Sequence, residues 1–195
     1  MKSEIGSNFW EYNLKGGRKK KFWWESKEFN KIFLKSGRNA FKAICNNIKH
    51  DNKNVLFPAY HCETETSPWY ESGWKVNYYP VETDFSVNPE KLEKCILANN
   101  PSVIVIQSYF GFEALNEKCD EVLRKYKKTG GIVIEDITQS LISDFRHIVS
   151  DYYVASFRKF FAIPDGGILI SKRPIDVENI EASNEAISQI ALEAY

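Results

Sequence analysis

Short apolar runs alternate with longer segments of helical periodicity from Ser36 onward, and this alternation restricts the possible folds more than any other feature of the chain. The apolar runs, such as Val-Ile-Val-Ile at 103–106, are continuous, which is typical of strands buried on both faces of a parallel sheet. Gly, Pro, Asn and Asp separate the segments. We therefore predict an α/β fold with three layers, α/β/α, around a mainly parallel sheet.

Helices and strands are predicted to alternate as far as residue 134 and to end with two further strands. The last of these is expected to return beside its predecessor as a hairpin-type partner. The predicted helices are 39–48, 63–72, 89–97 and 116–128, and the predicted strands are 55–57, 75–79, 103–106, 132–134, 152–156 and 167–170.

The composition divides the chain of 195 residues into three parts, of which the middle one is long enough for a substantial core. Residues 1–35 form an aromatic and basic segment, with Trp10, Trp23 and Trp24, to which the sequence assigns no fold. Residues 36–175 are predicted to form the large α/β domain. Residues 176–195 are predicted to start a helical connection.

The charges of the chain balance, because 26 Lys and Arg residues face 26 Asp and Glu residues. No net charge attracts the chain to nucleic acid or to an anionic membrane, and we expect neither as a partner. One basic cluster, Arg18 to Lys21, precedes the aromatic residues 22–24. It is either a patch that binds nucleic acid or a membrane surface, or a solvated turn before an aromatic segment that packs; we favour the second.

The four cysteines, at 45, 62, 95 and 119, are too widely spread for a CxxC zinc or redox pair. We expect free thiols in a reducing cytosol and no metal site. The N-terminus has no apolar stretch of signal-peptide length, and the longest apolar runs are the size of strands. A cytoplasmic protein is therefore expected.

Polar residues follow several predicted strands directly, at the edge where parallel sheets bind ligands. Tyr60 and His61 follow one strand, Gln107 and Ser108 follow another, and Asp136 with Gln139 follows a third. We expect these side chains to approach one another at that edge.

Asp136 ends the apolar run 132–134. An aspartate after a strand commonly caps a helix or closes a turn. The functional alternative is a carboxylate at the ligand edge that pairs with a cationic ring nitrogen.

Lys159 follows a predicted strand and is surrounded in the sequence by Phe157, Phe160 and Phe161. Partial desolvation by these rings would lower the pKa of its amine and make it a nucleophile. The alternative is a surface lysine whose aliphatic stem packs over aromatic rings.

Ser36, Gly37, Arg38 and Asn39 open a predicted helix. A glycine allows an anion to approach the backbone, the first N–H groups of the helix point toward it, and an arginine adds charge. An ordinary capped helix start has the same appearance.

An amine, a carboxylate and an anion site are together what pyridoxal phosphate requires for its aldehyde, its ring nitrogen and its phosphate. From Phe33 to Arg173 the sequence resembles the fold-type I pyridoxal-phosphate enzymes, and within them the DegT/DnrJ/EryC1/StrS family of sugar aminotransferases. The matching motifs are the phosphate loop at 36–40, the Pro-x-Tyr-Thr-Phe segment at 58–62, the Asp-x-x-Gln element at 136–139, the Ser-Phe-x-x-x-Lys element at 156–159 and the glycine turn at 164–167.

The resemblance implies a role for each matched position. Lys159 is the catalytic residue that would hold the cofactor's aldehyde. The implied cofactor-binding residues are Gly37, Arg38, Asn39, His61, Asp136, Gln139, Ser156 and Lys159.

The chain departs from the family pattern at two positions of the predicted site. The stretch from Ser156 to the lysine is shorter, so that Lys159 is placed by its distance from the glycine turn, and the neighbouring Arg158 stays protonated. The family's ring-stacking aromatic residue falls at Cys62, which leaves His61 or Tyr60 for that contact.

The resemblance implies transamination of a keto-sugar, nucleotide-linked, with an amino-acid donor, in a homodimer. The alternative is a truncated or degenerate non-catalytic relative that keeps the fold and the cofactor site, because family members continue into a smaller C-terminal domain and this chain stops at Tyr195. A Rossmann-type nucleotide binder would need a GxGxxG motif after the first strand, and the sequence has none.

Overall fold

The structure is a computed structural model that describes residues 21–161, 163 and 165–176. The strands are β1 Asn30–Leu34, β2 Asn54–Pro58, β3 Lys75–Tyr79, β4 Val103–Gln107, β5 Ile132–Asp136, β6 Tyr152–Ser156 and β7 Gly167–Ser171. The helices are α1 Gly37–Asn47, α2 Glu63–Glu71, α3 Pro89–Asn99 and α4 Glu117–Lys128. No helix in these described ranges has both the length and the apolar character that crossing a bilayer requires.

All seven strands belong to one sheet in the order β1-β7-β6-β5-β4-β2-β3. Strands β2 to β6 pair in parallel, and β7 pairs antiparallel with both β6 and β1. The predicted α/β fold with a mainly parallel sheet is therefore confirmed. The predicted hairpin-type return of the last strand is confirmed as well, with Tyr152 opposite Ser171.

Helices cover both faces of the sheet because successive side chains of a strand point to opposite sides. In β4, Val103 and Val105 pack in the cluster that includes residues of α1 and α2. Ile104 and Ile106 pack in the cluster of α3 and α4. The continuous apolar run at 103–106 thus fills two cores at once, which produces the three layers.

Helix boundaries follow the capping residues in the sequence. Asn88 accepts hydrogen bonds from the backbone N–H groups of Glu90 and Lys91, and Pro89 occupies the first helical position of α3. After α2, Gly73 has φ +75, a left-handed conformation that favours glycine and ends the helix.

Residues 21–35 belong to the same domain as the sheet, although the sequence assigned them no fold. Strand β1 pairs with β7, and Trp24, which is 1% exposed, donates from its indole Nε1 to the carbonyl of Leu141. The ring of Phe22 stacks on the ring of Trp24 with their centroids 5.2 Å apart. The interpretation of residues 22–24 as an aromatic packing segment is confirmed, while Trp10, Arg18 to Lys20, Pro164 and residues 177–195 lie outside the described residues.

Candidate functional site

A cavity of about 1160 Å³ opens at the carboxyl ends of the parallel strands, where the sequence places its polar residues. Its walls come from the start of α1, the start of α2, the ends of β4, β5 and β6, and the turn before β7. Seven of the eight predicted site residues line it: Gly37, Arg38, Asn39, Asp136, Gln139, Ser156 and Lys159. Segments that are up to about 120 residues apart in the chain therefore share one site.

The start of α1 forms one wall. The Ser36 hydroxyl accepts a hydrogen bond from the Asn39 backbone N–H at 3.2 Å and donates to Asn39 Oδ1 at 2.6 Å. Ser156 lies beside this turn, because a Cβ placed on Gly37 would be 3.5 Å from the Ser156 Cβ. This wall brings together the groups that an anion site requires: a helix N-terminus, a serine and the exposed Arg38 guanidinium.

The turn at Gly166 and Gly167 connects the start of α1 to the segment that carries Lys159. The Gly166 N–H donates to the Lys35 carbonyl at 2.8 Å, and the Gly166 carbonyl accepts from the Phe157 N–H at 3.0 Å. Gly166 has φ +121, and a Cβ on Gly167 would overlap the backbone of Ser36. Both glycines are therefore required by the close approach of three segments.

Asp136 ends β5 and is almost fully buried. Its Oδ1 accepts the Thr138 backbone N–H at 2.7 Å, as a turn aspartate does, and its side chain also faces the cavity. Burial raises the pKa of Asp136, while the Thr138 hydrogen bonds and the Lys159 charge oppose that rise. The two interpretations of Asp136 are thus compatible: one oxygen holds the turn and the carboxyl lines the site.

Gln139 is fixed by the neighbouring loop. Its Oε1 accepts the Phe110 backbone N–H at 2.9 Å, which ties the loop after β4 to the end of β5. The side chain is therefore held at the cavity wall by a partner that the sequence did not suggest.

Lys159 ends a short 3-10 helix, Phe157–Lys159, that follows β6. The expected desolvation by neighbouring phenylalanines is wrong, because Lys159 is exposed. Phe157 and Phe161 turn away from it and pack with Trp24 in the third apolar cluster. Lys159 lines the cavity, and its charge acts on the buried carboxyl of Asp136.

His61 is the one predicted site residue that does not line the cavity. Its ring stacks on Tyr78 with centroids 5.0 Å apart, and its Nδ1 lies 3.0 Å from the Pro58 carbonyl oxygen. Tyr60 and Cys62, the residues on either side, line the cavity instead.

Two buried side chains in the cavity wall were missing from the predicted site. Glu65 and Gln107 each have a buried oxygen, Oε2 and Oε1 respectively, that finds no hydrogen-bond partner among the described residues. Gln107 follows a predicted strand, which was a usable signal. The signal for Glu65 was a charged residue on the helix face that also carries Trp69, because glutamate is rarely buried without a purpose.

The described ranges contain no cluster of three or more His, Cys, Asp or Glu side chains that is arranged for a metal ion. The groups that the described residues bring to the cavity are an exposed amine, a helix N-terminus beside a serine and a guanidinium, and two buried carboxyls.

Solved structures with this fold cover most of the chain. Helicobacter pylori PseC, an aminotransferase involved in the biosynthesis of pseudoaminic acid, is 18% identical with a TM-score of 0.69 over 85% of this chain and 52% of that chain. A NifS-like protein from Rickettsia africae is 18% identical with a TM-score of 0.63 over 87% of this chain and 50% of that chain. The histidinol-phosphate aminotransferase from Clostridium acetobutylicum is 15% identical with a TM-score of 0.60 over 77% of this chain and 47% of that chain.

No protein-family model and no curated protein sequence matches the chain. The chain spans about half the length of the solved structures it matches. At 15–18% identity the likeness is one of architecture, so the cavity has to be interpreted from its own residues. The described part of the chain has the α/β fold that these solved structures share.

Proposed function

We propose that the cavity binds pyridoxal 5′-phosphate and that the whole protein is a pyridoxal-phosphate-dependent aminotransferase. The observation that carries the proposal is the convergence of Lys159, Asp136 and the start of α1 on one cavity. An amine, a buried carboxylate and an anion site are each common, whereas their grouping around one opening is typical of this cofactor.

The donors and acceptors present fit the cofactor. The start of α1, with Ser156 and Arg38, is suited to the phosphate, since helix N–H groups and a guanidinium stabilise a dianion. Asp136 is suited to a protonated ring nitrogen, and the unpartnered oxygen of Gln107 offers a further polar contact. Tyr60 also lines the cavity. Of the aromatic residues there, it is the nearest in the sequence to position 62, where the ring-stacking residue was predicted.

Lys159 would be the residue that holds the cofactor, because its amine is the group suited to the cofactor's aldehyde. When bound, pyridoxal phosphate would supply an electron-accepting ring for chemistry at an amino-acid Cα. The Lys159 amine would also be the group placed to move a proton at that carbon. Its exposure in the cavity gives it the room that such a change of partner requires.

The substrates that we propose are a keto-sugar, nucleotide-linked, and an amino-acid donor. The motif resemblance supports them, and PseC, one structure with the same fold, is an aminotransferase involved in pseudoaminic acid biosynthesis. We further propose a cytoplasmic homodimer in which residues 36–175 form the cofactor domain. Because the chain spans about half the length of the solved structures it matches, transamination is proposed for the whole protein.

The test is reductive trapping. The purified protein is mixed with pyridoxal phosphate, its absorbance is recorded, and borohydride treatment is followed by peptide mapping. We expect one labelled lysine, Lys159, and no label in Lys159→Ala. Arg158→Ala is the matched control, because Arg158 is the exposed neighbour on the same 3-10 helix, and we expect it to keep the label on Lys159.

Label on surface lysines in proportion to their exposure, or unchanged labelling in Lys159→Ala, would overturn the assignment. Specific labelling of Lys159 without amino transfer from any amino acid would favour the non-catalytic relative over the enzyme.

A further inference from the structure

Glu65 is a buried carboxyl in the wall of the cavity, and the site described so far gives it no role. It lies in the first turn of α2, is 9% exposed, and its Oε2 has no hydrogen-bond partner among the described residues. An unpartnered carboxylate at such a site would carry a large desolvation cost, whereas a neutral acid carries a small one.

Asp136 lies within electrostatic reach of Glu65, since each carboxyl lines the same cavity and the Asp136 charge acts on Glu65. The two are not equivalent. Asp136 accepts the Thr138 N–H at 2.7 Å, which stabilises its ionised form, while Glu65 Oε2 accepts nothing. A single proton shared by the two carboxyls therefore prefers Glu65.

The other groups that face Glu65 do not reverse this preference. The Tyr79 hydroxyl donates to the Val105 carbonyl and the Tyr109 hydroxyl donates to the Tyr60 carbonyl, so neither proton is available to Glu65. Burial, and after it the Asp136 charge, raises the pKa of Glu65 well above its ordinary value. The Cys62 thiol adds to the rise, and the Cys62 backbone and the Lys159 charge oppose it.

We propose that Glu65 and Asp136 act as an acid–carboxylate pair that keeps one proton at neutral pH, held on Glu65. The pair then carries one negative charge, on Asp136, rather than two. Glu65 acts by staying neutral, which leaves Asp136 as the single charged carboxyl of the pair, and it needs no contact with a ligand to do so.

The purpose of the pair rests on the proposed function. One negative charge balances one protonated ring nitrogen, so that the carboxyl pair and a bound pyridinium are neutral together. A second ionised carboxylate would leave an uncompensated buried charge. The neutral Glu65 also remains a hydrogen-bond donor toward the cavity, which an ionised carboxylate is not.

The pair is tested on the protein without cofactor. Aspartate and glutamate carboxyls are labelled with carbon-13, and their NMR shifts are followed from acid to alkaline pH in the wild type, Glu65→Gln and Asp136→Asn. Asp136 loses its proton while Glu65 is still neutral, so we expect Glu65→Gln, which keeps the shape of the side chain and removes its ionisation, to leave the Asp136 midpoint in place and to remove the higher transition. Glu65 ionises beside the charge of Asp136, so we expect the Glu65 midpoint to fall by roughly one pH unit in Asp136→Asn. Far- and near-ultraviolet circular dichroism verifies the fold of each variant.

Glu63→Gln is the matched control, because Glu63 is an exposed carboxyl of the same helix turn. We expect it to leave the midpoints of both Glu65 and Asp136 unchanged. A Glu65 midpoint that is equal in Asp136→Asn and the wild type, or a Glu65 that titrates like an exposed glutamate, would overturn the pair.

A second arm separates the pair from the proposed function. Pyridoxal phosphate affinity is measured by absorbance as a function of pH in the wild type and Glu65→Gln, where the cofactor's own titration is common to both. We expect the wild type to lose affinity at alkaline pH as Glu65 ionises, and we expect Glu65→Gln to lack that loss. Coupled titrations with no cofactor binding at any pH would sustain the pair and reject the proposed function; binding whose pH dependence is identical in both proteins would overturn the role of the pair.

Discussion

Gly167 lies directly against the backbone of Ser36, so closely that a Cβ on Gly167 would overlap the Ser36 carbonyl group. The first residue of β7 thus supports the turn that begins α1. The preceding Gly166 is hydrogen-bonded to both Lys35 and Phe157. The glycine turn therefore fixes the start of α1 relative to the 3-10 helix that carries Lys159. The two glycines are therefore structural parts of the site, although they carry no functional group.

Gly167→Ala is expected to destabilise the domain by about 1–3 kcal/mol. The added methyl group would overlap backbone atoms, which, unlike a side chain, cannot move away by changing rotamer. The measurement is the free energy of unfolding in urea, with inorganic phosphate binding as a second readout. The matched control is Gly37→Ala, whose Cβ would have only contacts of 3.5 Å or longer. We expect that variant to unfold at unchanged or slightly higher urea concentration; equal stability of the two variants would contradict the steric argument.

Trp24→Ala should cost about 3–5 kcal/mol of unfolding free energy, because it empties a site that is filled by a fully buried indole and leaves the Leu141 carbonyl without its donor. Urea unfolding monitored by circular dichroism gives the value. Lys27→Ala, an exposed position in the same segment, is expected to change stability by less than about 0.5 kcal/mol. A small effect of Trp24→Ala would mean that residues before β1 are not part of the core.

Arg38→Ala is expected to weaken the binding of inorganic phosphate and of pyridoxal phosphate roughly tenfold, the usual loss for one charge-assisted contact at a partly solvated site. The loss should shrink as salt is raised, because the guanidinium is exposed. Isothermal titration at two ionic strengths measures both effects. Lys42→Ala removes an exposed cation from the same helix at a position outside the cavity wall, and an equal loss there would show that the effect is general electrostatics.

Glu135→Gln is expected to flatten the pH dependence of stability. Glu135 is fully buried beside His147 and Ser150, and burial raises its pKa from 4.5 to about 7 despite the opposing effect of His147. A carboxyl whose folded pKa lies above its unfolded value contributes stability below the unfolded pKa, and this contribution is lost as the pH rises through the folded pKa. The wild type should therefore lose stability between about pH 5 and pH 8.

Between pH 5.5 and pH 8.5 the loss from Glu135 amounts to about 2 kcal/mol, and Glu135→Gln should lack it. The unfolding free energy of both proteins at the two pH values measures the difference. Glu121→Gln, at an exposed position on α4, should follow the wild type. Parallel pH profiles of Glu135→Gln and the wild type would contradict the burial argument.

The order of the elements and most of the site were readable from the sequence, because they depend on local signals. Periodicity predicted β2 to β7 and the four helices to within a few residues, since strand and helix differ in where they place successive side chains. Asp136 and Lys159 were predicted because each follows a strand, and strands of a parallel sheet end at one edge.

Only the tertiary structure decided features that depend on contacts between distant segments. The pairing of β1 with β7 and the burial of Trp24 join residues that are more than 100 positions apart, a distance over which local periodicity has no information. The same holds for the exposure of Lys159, because the rings of Phe157 and Phe161 had a core available on the other side of the turn. Whether Tyr60 or His61 faces the cavity was decided by the stacking of His61 on Tyr78. The electrostatic influence of Asp136 on Glu65 arises because the start of α2 and the end of β5 line one cavity, and side chains acquire such neighbours only when the sheet is assembled.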